Sequence, residues 1–286
     1  VSSEFDAFAE RKAREAAEAR IGALVTEEDR SAGLAGMRLG NAWTRAHYDG
    51  DVLLLPAPDA RPAISLVFVQ SLDGNTGAEH PADLGGGSID LHLIYEGLSR
   101  VAADAVLAGG ATANGRAFFS VWHPAVVALR SSLGLPRHPT QIVISGDGNL
   151  DVDGTLLFNV PSVPVFIIAG PRCQERCRGA VRHRPWITLI PLRDRDLDAS
   201  LRELRRRGLD RISVVGGRST ASALIDAGLV QDMFLTTTSS PGGDPGTPFY
   251  VGRHTPSFRP IVRKRSTPDP HEGAIRVEHV ALRVPA

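Results

Sequence analysis

Residues 211–232 read RISVVGGRSTASALIDAGLVQD. Ile212, Val214 and Val215 form a β-branched run that suits a pleated strand. The run stops at Gly216 and Gly217. Ser219 and Thr220 then open an apolar pattern with helical spacing. The stretch is a strand, a glycine turn and a helix start. Such a junction brings backbone N–H groups and the positive end of a helix to one point, where a phosphate can sit. It can equally be a tight turn with no ligand, so its neighbours decide its meaning.

Outward from this junction, strand and helix signals alternate. Apolar strand signals occur at AISLVFVQ (63–70), DAVLAGG (104–110), PTQIVIS (139–145), PVFIIAG (164–170) and WITLIPL (186–192). AISLVFVQ is apolar on both faces, as a central strand covered on both sides must be. Residues 196–208, DLDASLRELRRRG, carry aspartates at the start, arginines at the end and Gly208 beyond, the charge order a helix dipole favours. Ser88 is a candidate N-cap for a helix with Leu91, Ile94, Tyr95, Leu98, Val101 and Ala102 on one face. MFLTTTS (233–239) and AIRVEHVALRV (274–284) close the chain as two strands with no helix between them. The pattern predicts an α/β fold. Its mostly parallel twisted sheet has an antiparallel edge and helices on both faces.

Before this domain, residues 4–24 read as an Ala-, Glu- and Arg-rich helix with Phe5, Phe8, Ala9, Ala13, Ala16 and Leu24 along one stripe. A polar, irregular stretch follows, then a short strand in DVLLLPAPDARP. The division is expected near Arg61, with 1–60 a helical extension packed on a domain of 61–286.

Composition narrows the function classes. Lys+Arg and Asp+Glu both number 32, so no net charge favours nucleic acid or an acidic membrane. No apolar run approaches the ~20 residues of a membrane helix. The charged first twenty residues do not read as a signal peptide. Cys173 and Cys177 fall one helical turn apart without a second pair to complete a zinc site. They read as reduced thiols of a cytoplasmic protein. The histidines show no ligand spacing, and no metal is expected. Arg263, Lys264 and Arg265 read as a surface cluster.

Three strand ends carry small or glycine-rich loops: QSLDGNTG (70–77), LAGGATANGR (107–116) and VVGGRSTAS (214–222). Three such ends on one sheet suggest a nucleotide-sized ligand at their C-terminal ends. None is the dinucleotide fingerprint or a Walker phosphate loop, and the metalloprotease, serine-hydrolase and zinc-deaminase signatures are absent.

Taken in order, these loops resemble the C-terminal reductase domain of bacterial riboflavin biosynthesis, of dihydrofolate-reductase-like fold. Ser71-Leu72-Asp73-Gly74 ends the first strand. Arg100 leads into Ala103-Asp104-Ala105-Val106-Leu107 and Gly109-Gly110-Ala111-Thr112. Val215-Gly216-Gly217 is followed by Gly228-Leu229-Val230-Gln231-Asp232. The resemblance spans about 61–285. It implies an NADPH-dependent reductase, a homodimer, and a ribosylaminopyrimidine phosphate or related heterocycle as substrate. It implies cofactor contacts at Gly109, Gly110, Thr112, Ser145, Gly216, Gly217, Arg218, Ser219 and Thr220. Arg116, by its charge, is a candidate partner for the cofactor 2′-phosphate. Ser88 and Arg100 match substrate-side positions. Asp73 is the candidate acid or orienting group, or a plain Asp-Gly turn.

Three departures bear on the substrate. Val215 stands where the family has a substrate-contacting glutamate, Gln231-Asp232 replaces Asp-Glu, and the accompanying deaminase domain does not appear. A different pterin or heterocyclic substrate, or nucleotide binding without turnover, is the alternative.

Overall fold

The computed structural model describes residues 2–78, 81–114, 118–194, 196–267 and 273–283. The strands are β1 (Leu24–Asp29), β2 (Met37–Leu39), β3 (Val52–Leu54), β4 (Ala63–Gln70), β5 (Ala105–Gly109), β6 (Thr140–Ser145), β7 (Val165–Ala169), β8 (Ile187–Pro191), β9 (Arg211–Val215), β10 (Asp232–Thr237), β11 (Ser257–Ser266) and β12 (Arg276–Arg283). The helices are α1 (Ser2–Glu18), α2 (Ala42–Tyr48), α3 (Gly110–Ala113), α4 (Pro124–Ser132), α5 (Pro171–Val181), α6 (Leu197–Arg206) and α7 (Arg218–Asp226), with a π-helix over Ile89–Leu98.

Among the described residues, ten strands form one sheet in the order β1-β11-β12-β10-β4-β9-β5-β6-β7-β8. From β10 to β8 every neighbour is parallel. β12, β11 and β1 extend it as an antiparallel edge. The predicted fold class holds.

Alternation along each strand divides the core between two faces. Ile64, Leu66 and Phe68 of β4 join Val214 of β9 and the apolar stripes of α6 and α7 on one face. Val67 of β4 and Val215 of β9 join the π-helix, Val126 of α4 and Cys173 of α5 on the other. The chain therefore leaves β4 and β5 toward one face and β9 toward the opposite face. Strand connections that diverge in this way open a crevice at the C-terminal ends. β9 is inserted between β4 and β5, so that crevice falls on the Gly216–Gly217 junction.

Two polar side chains set the strand starts at the opposite end of the sheet. The Asp104 carboxylate accepts the N–H groups of Asp210 and Arg211, both at 2.8 Å, and so ties β5 to β9. Arg130 is 1% exposed. Its Nη1 donates to the carbonyls of Arg100 (3.2 Å), Val101 (3.2 Å) and Ala103 (2.7 Å), and its Nε to Pro136 (2.6 Å). Arg130→Ala removes a donor from each of four carbonyls, of which that of Arg100 still accepts the Ala103 N–H. It is expected to lower stability by ~3 kcal/mol or more, read as a fall in the urea midpoint at unchanged slope. An unchanged midpoint would remove Arg130 from the account.

The structure departs from the sequence expectations in five places. The first helix ends at Glu18, and Leu24 begins β1. The stretch that looked irregular holds β1, β2 and α2, so the first 60 residues are only partly helical. Ser88 has helical backbone angles and makes no side-chain cap, because the helix already includes it. The helix is a π-helix, so the 3.6-residue stripe does not describe its buried face: Asp90, His92 and Leu93 are buried, while Leu91 is 36% exposed.

Lys264 is the fifth, since it is not on the surface. It is 3% exposed. Its ammonium donates to Thr26 Oγ1 (2.7 Å) and the Asp49 carbonyl (2.9 Å) and lies 4.4 Å from the Tyr48 ring centroid. Arg263 bridges Glu28 and Glu278, and only Arg265 is mainly exposed. These charges belong to β11, where the alternation of a strand turns Lys264 inward. Cys173 and Cys177 are free and buried, with sulfurs 3.8 Å apart. Burial pushes the Cys173 thiol up to about 12.

Candidate active site

Three of the expected loops converge at the strand ends. Gly216 and Gly217 have φ of +66° and +78°, the left-handed region that favours glycine. A Cβ on Gly216 would lie 3.2 Å from Thr112 Cγ2, one on Gly109 2.8 Å from Thr220 Oγ1, and one on Gly110 3.4 Å from Ser145 Oγ. Thr112, Thr220 and Ser145 are thus packed directly over the glycine backbone. α7 starts at Arg218 with no side chain capping its first turn, so its N–H groups face outward beside Gly217.

A cleft of about 810 Å³ opens here. One wall carries Thr112, Gly216, Gly217 and Arg218. The opposite wall is the π-helix, with Ser88, Asp90, Leu91 and Tyr95. Val67, Phe68 and Val69 of β4 form an apolar floor. A second hollow, about 330 Å³, lies across α3 and is lined by Gly110, Asn114, Ser145 and Asp147. Ser145 Oγ accepts the Gly148 N–H (3.0 Å) and donates toward Asp147 (3.4 Å). Asn114 joins α3 to this loop by donating to the Asn149 carbonyl (2.8 Å) and accepting from the Asp151 N–H. Among the described residues lining the second hollow there is no lysine or arginine, and Asp147 is acidic.

Thr112, Gly216, Gly217, Arg218 and Ser88 therefore line the main cleft. Gly110 and Ser145 line the second hollow. Gly109 and Thr220 meet behind the junction, and exposed Ser219 opens α7. Arg116 lies outside the described residues.

Two expected site residues lie elsewhere. Asp73 does not line the cleft. Its carboxylate accepts from Ser71 Oγ (2.5 Å), Asn75 Nδ2 (3.0 Å) and the Gly242 N–H (3.2 Å), and so pins loop 71–77 to the segment after β10. The Ser71 hydroxyl, then the Gly242 N–H, hold it below the usual carboxylate range. An exposed, ionised carboxylate has no proton to give near neutral pH. Arg100 is 1% exposed. It donates to the Ser120 carbonyl (3.1 Å) and stacks 4.0 Å from the Tyr95 ring centroid, behind the π-helix wall. It supports Tyr95 rather than facing the cleft. Val215 is fully buried, so the departure at that position falls in the core rather than on the cleft surface.

Asp90 was not singled out in the sequence, and Tyr95 only as part of an apolar helix face. π-helix hydrogen bonds span five residues, which sets residues 90 and 95 one turn apart on the cleft wall. A reading based on 3.6 residues per turn places them on different faces. Among the described residues no group of three His, Cys, Asp or Glu is placed to hold a metal ion, and no helix is long and apolar enough to cross a membrane.

Solved structures share this fold. The chain is similar in fold to a pyrimidine reductase-like protein of Corynebacterium diphtheriae, at 19% identity and TM-score 0.56 over 78% of this chain and 92% of that one. It is also similar to a diaminohydroxyphosphoribosylaminopyrimidine deaminase/5-amino-6-(5-phosphoribosylamino)uracil reductase of Thermotoga maritima, at 18% and 0.51 over 77% of this chain and 57% of that one. RibD of Acinetobacter baumannii gives 15% and 0.54 over 78% and 58%. The chain thus spans less than three-fifths of the last two proteins. No curated protein sequence matches it. The model of the RibD C-terminal domain matches residues 62–258, from β4 into β11 and across all three glycine-bearing strand ends, and the chain belongs to that family.

Proposed function

We propose that this chain is an NADPH-dependent reductase of a heterocyclic compound, with 5-amino-6-(5-phosphoribosylamino)uracil, the substrate in the name of the Thermotoga relative, as the first candidate. The observation that carries this reading is the single cleft joining the Gly216–Gly217 junction to the π-helix wall. A dinucleotide fits the residues present. Two left-handed glycines leave a cradle that any Cβ would narrow, and an uncapped helix start with Arg218 beside it favours phosphate oxygens. When bound, the reduced nicotinamide supplies a hydride.

The chain's own part is mainly placement. Thr112, Gly216, Gly217, Arg218, Ser219 and Thr220 hold the phosphate and nicotinamide end. Gly109, Gly110 and Ser145 shape the way to the second hollow. Ser88 offers a hydroxyl to the substrate. Val67, Val69, Leu91 and Tyr95 give the substrate an apolar slot suited to a flat ring and keep water from it. Arg116 retains its proposed role at the 2′-phosphate. The proposed unit is a homodimer.

Absorbance at the reduced-nicotinamide band tests the reading. NADPH should be consumed with the aminopyrimidine or with a dihydropterin. Binding without oxidation for every such compound would make the chain a nucleotide-binding protein instead. A second cofactor reading is favoured by Asp147, whose charge repels a 2′-phosphate in the second hollow. Titration by nucleotide fluorescence separates the two. NADPH is expected to bind at least tenfold more tightly than NADH. The reverse order, restored toward NADPH by Asp147→Asn, would assign the preference to NADH.

A further inference from the structure

Reducing a C=N or C=O bond needs more than a hydride. As the hydride adds to carbon, the π electron pair moves to nitrogen or oxygen, and that atom must gain one proton. The expected acid, Asp73, is ionised and outside the cleft, so the proton has to come from another group.

We infer that Asp90 is the proton donor of this site, acting on the heteroatom of the bond that is reduced. Asp90 lines the main cleft on the wall facing Gly216, Gly217 and Arg218. It is 9% exposed, and its Oδ1 has no hydrogen-bond partner. A buried carboxyl oxygen left unpaired is costly unless a ligand uses it. The backbone makes room for the group. A Cβ on Gly86 would lie 2.6 Å from Asp90 Cβ and 3.1 Å from its Cγ, so only glycine at 86 lets the loop close over the carboxyl. The π-helix turns it to the same side as Tyr95, and π segments are frequent at functional sites.

The surroundings favour the protonated form more than they do for an ordinary carboxyl. Val69 of β4, Thr236 of β10 and Gly86 face the carboxyl; Tyr95 faces it from the same helix, and Arg218 lies on the far wall of the cleft. Burial pushes the group up to about 6, against a smaller opposing effect of Thr236. In the step, the Asp90 O–H bond breaks, the proton passes to the substrate heteroatom, and a carboxylate remains that regains a proton from solvent before the next turnover. The cofactor is oxidised and the substrate reduced by one hydride and one proton. The inference rests on the reductase reading above.

Asp90→Asn is the test, because the amide keeps the size of the neutral acid. It is expected to lower kcat by at least ~100-fold, with KM and the NADPH dissociation constant changed less than about threefold. Wild-type kcat should fall as pH rises through the Asp90 pKa, and the variant should lose that limb. Carbon-13 NMR of labelled aspartate should show Asp90 titrating above the ordinary range in the NADPH complex, a readout that needs no turnover. A wild-type enzyme that turns over with Asp90→Asn within threefold of it, or an Asp90 already ionised at pH 4.5, overturns the inference alone. A wild type that oxidises no NADPH with any candidate overturns the reductase reading, and the inference with it.

Discussion

Replacing Gly217 by valine should raise the dissociation constant for reduced nicotinamide dinucleotide more than 100-fold, while the protein stays folded. Two effects add. The φ of +78° at this position is strained for any L-residue and worst for a β-branched one, by ~1–2 kcal/mol or more. The side chain would also stand over the first N–H groups of α7, on the cleft wall, next to Thr112 and Thr220. Strain spread through the fold would lower stability without touching the ligand, so a control is needed. Gly228 has a φ of +64° with open space around it and does not line the cleft. Gly228→Val should cost comparable stability and leave binding unchanged. Calorimetric titration reads both. Equal loss of binding in the two variants would mean that strain, and not the cradle, decides affinity.

Removing residues 1–60 is expected to lower the melting temperature by more than about 10 °C, or to leave the remainder insoluble. The segment makes three independent attachments. β1 pairs with β11 along the outer edge of the sheet. Phe5, Phe8 and Ala9 of α1 pack on a cluster containing Phe118, Trp122 and Val160, and Lys12 forms a 2.8 Å ion pair with Glu96 of the π-helix. Lys264 would lose Thr26, Asp49 and Tyr48 together, the groups that hold and cover its ammonium. Exposing the apolar surface under α1 and β1 costs several kcal/mol at ~25 cal/mol per Å², and each kcal/mol is worth ~2–4 °C in a domain of this size. A melting curve for 61–286 that overlays the full chain would make the two parts separate units.

The parallel half of the sheet was legible because each strand is a short apolar run closed by glycine or proline. AISLVFVQ corresponds residue for residue to β4, and the predicted helix over 196–208 contains α6. The antiparallel edge was legible only in part: AIRVEHVALRV (274–284) contains β12, but β11 and β1 gave no strand signal. SFRPIVRKRS hides β11 behind four basic residues, and the partners that let Lys264 turn inward lie more than 200 positions away. LVTEED hides β1 because an edge strand keeps charge on the side facing water. At the site, glycines announced one wall of the cleft because their role is local. Asp90 gave no signal, since its importance arises from a helix with five-residue spacing and a loop that folds back through Gly86. Asp73 did give a signal, in Ser-Leu-Asp-Gly, but the structure gives that motif to a loop clasp: Asp73 is held by Ser71, Asn75 and Gly242.

The pairing of β1 with β11 also sets an order of events. Thr26 and Lys264 are 238 positions apart, so this contact closes nearly the whole chain into a loop. During synthesis residues 24–29 emerge long before their partner strand exists. The parallel core from β4 to β10 can assemble in the meantime from neighbouring segments. Residues 24–29, made long before β11, are thus among the last to find their place, and until they do the outer edge of β11 offers free N–H and C=O groups to any passing strand.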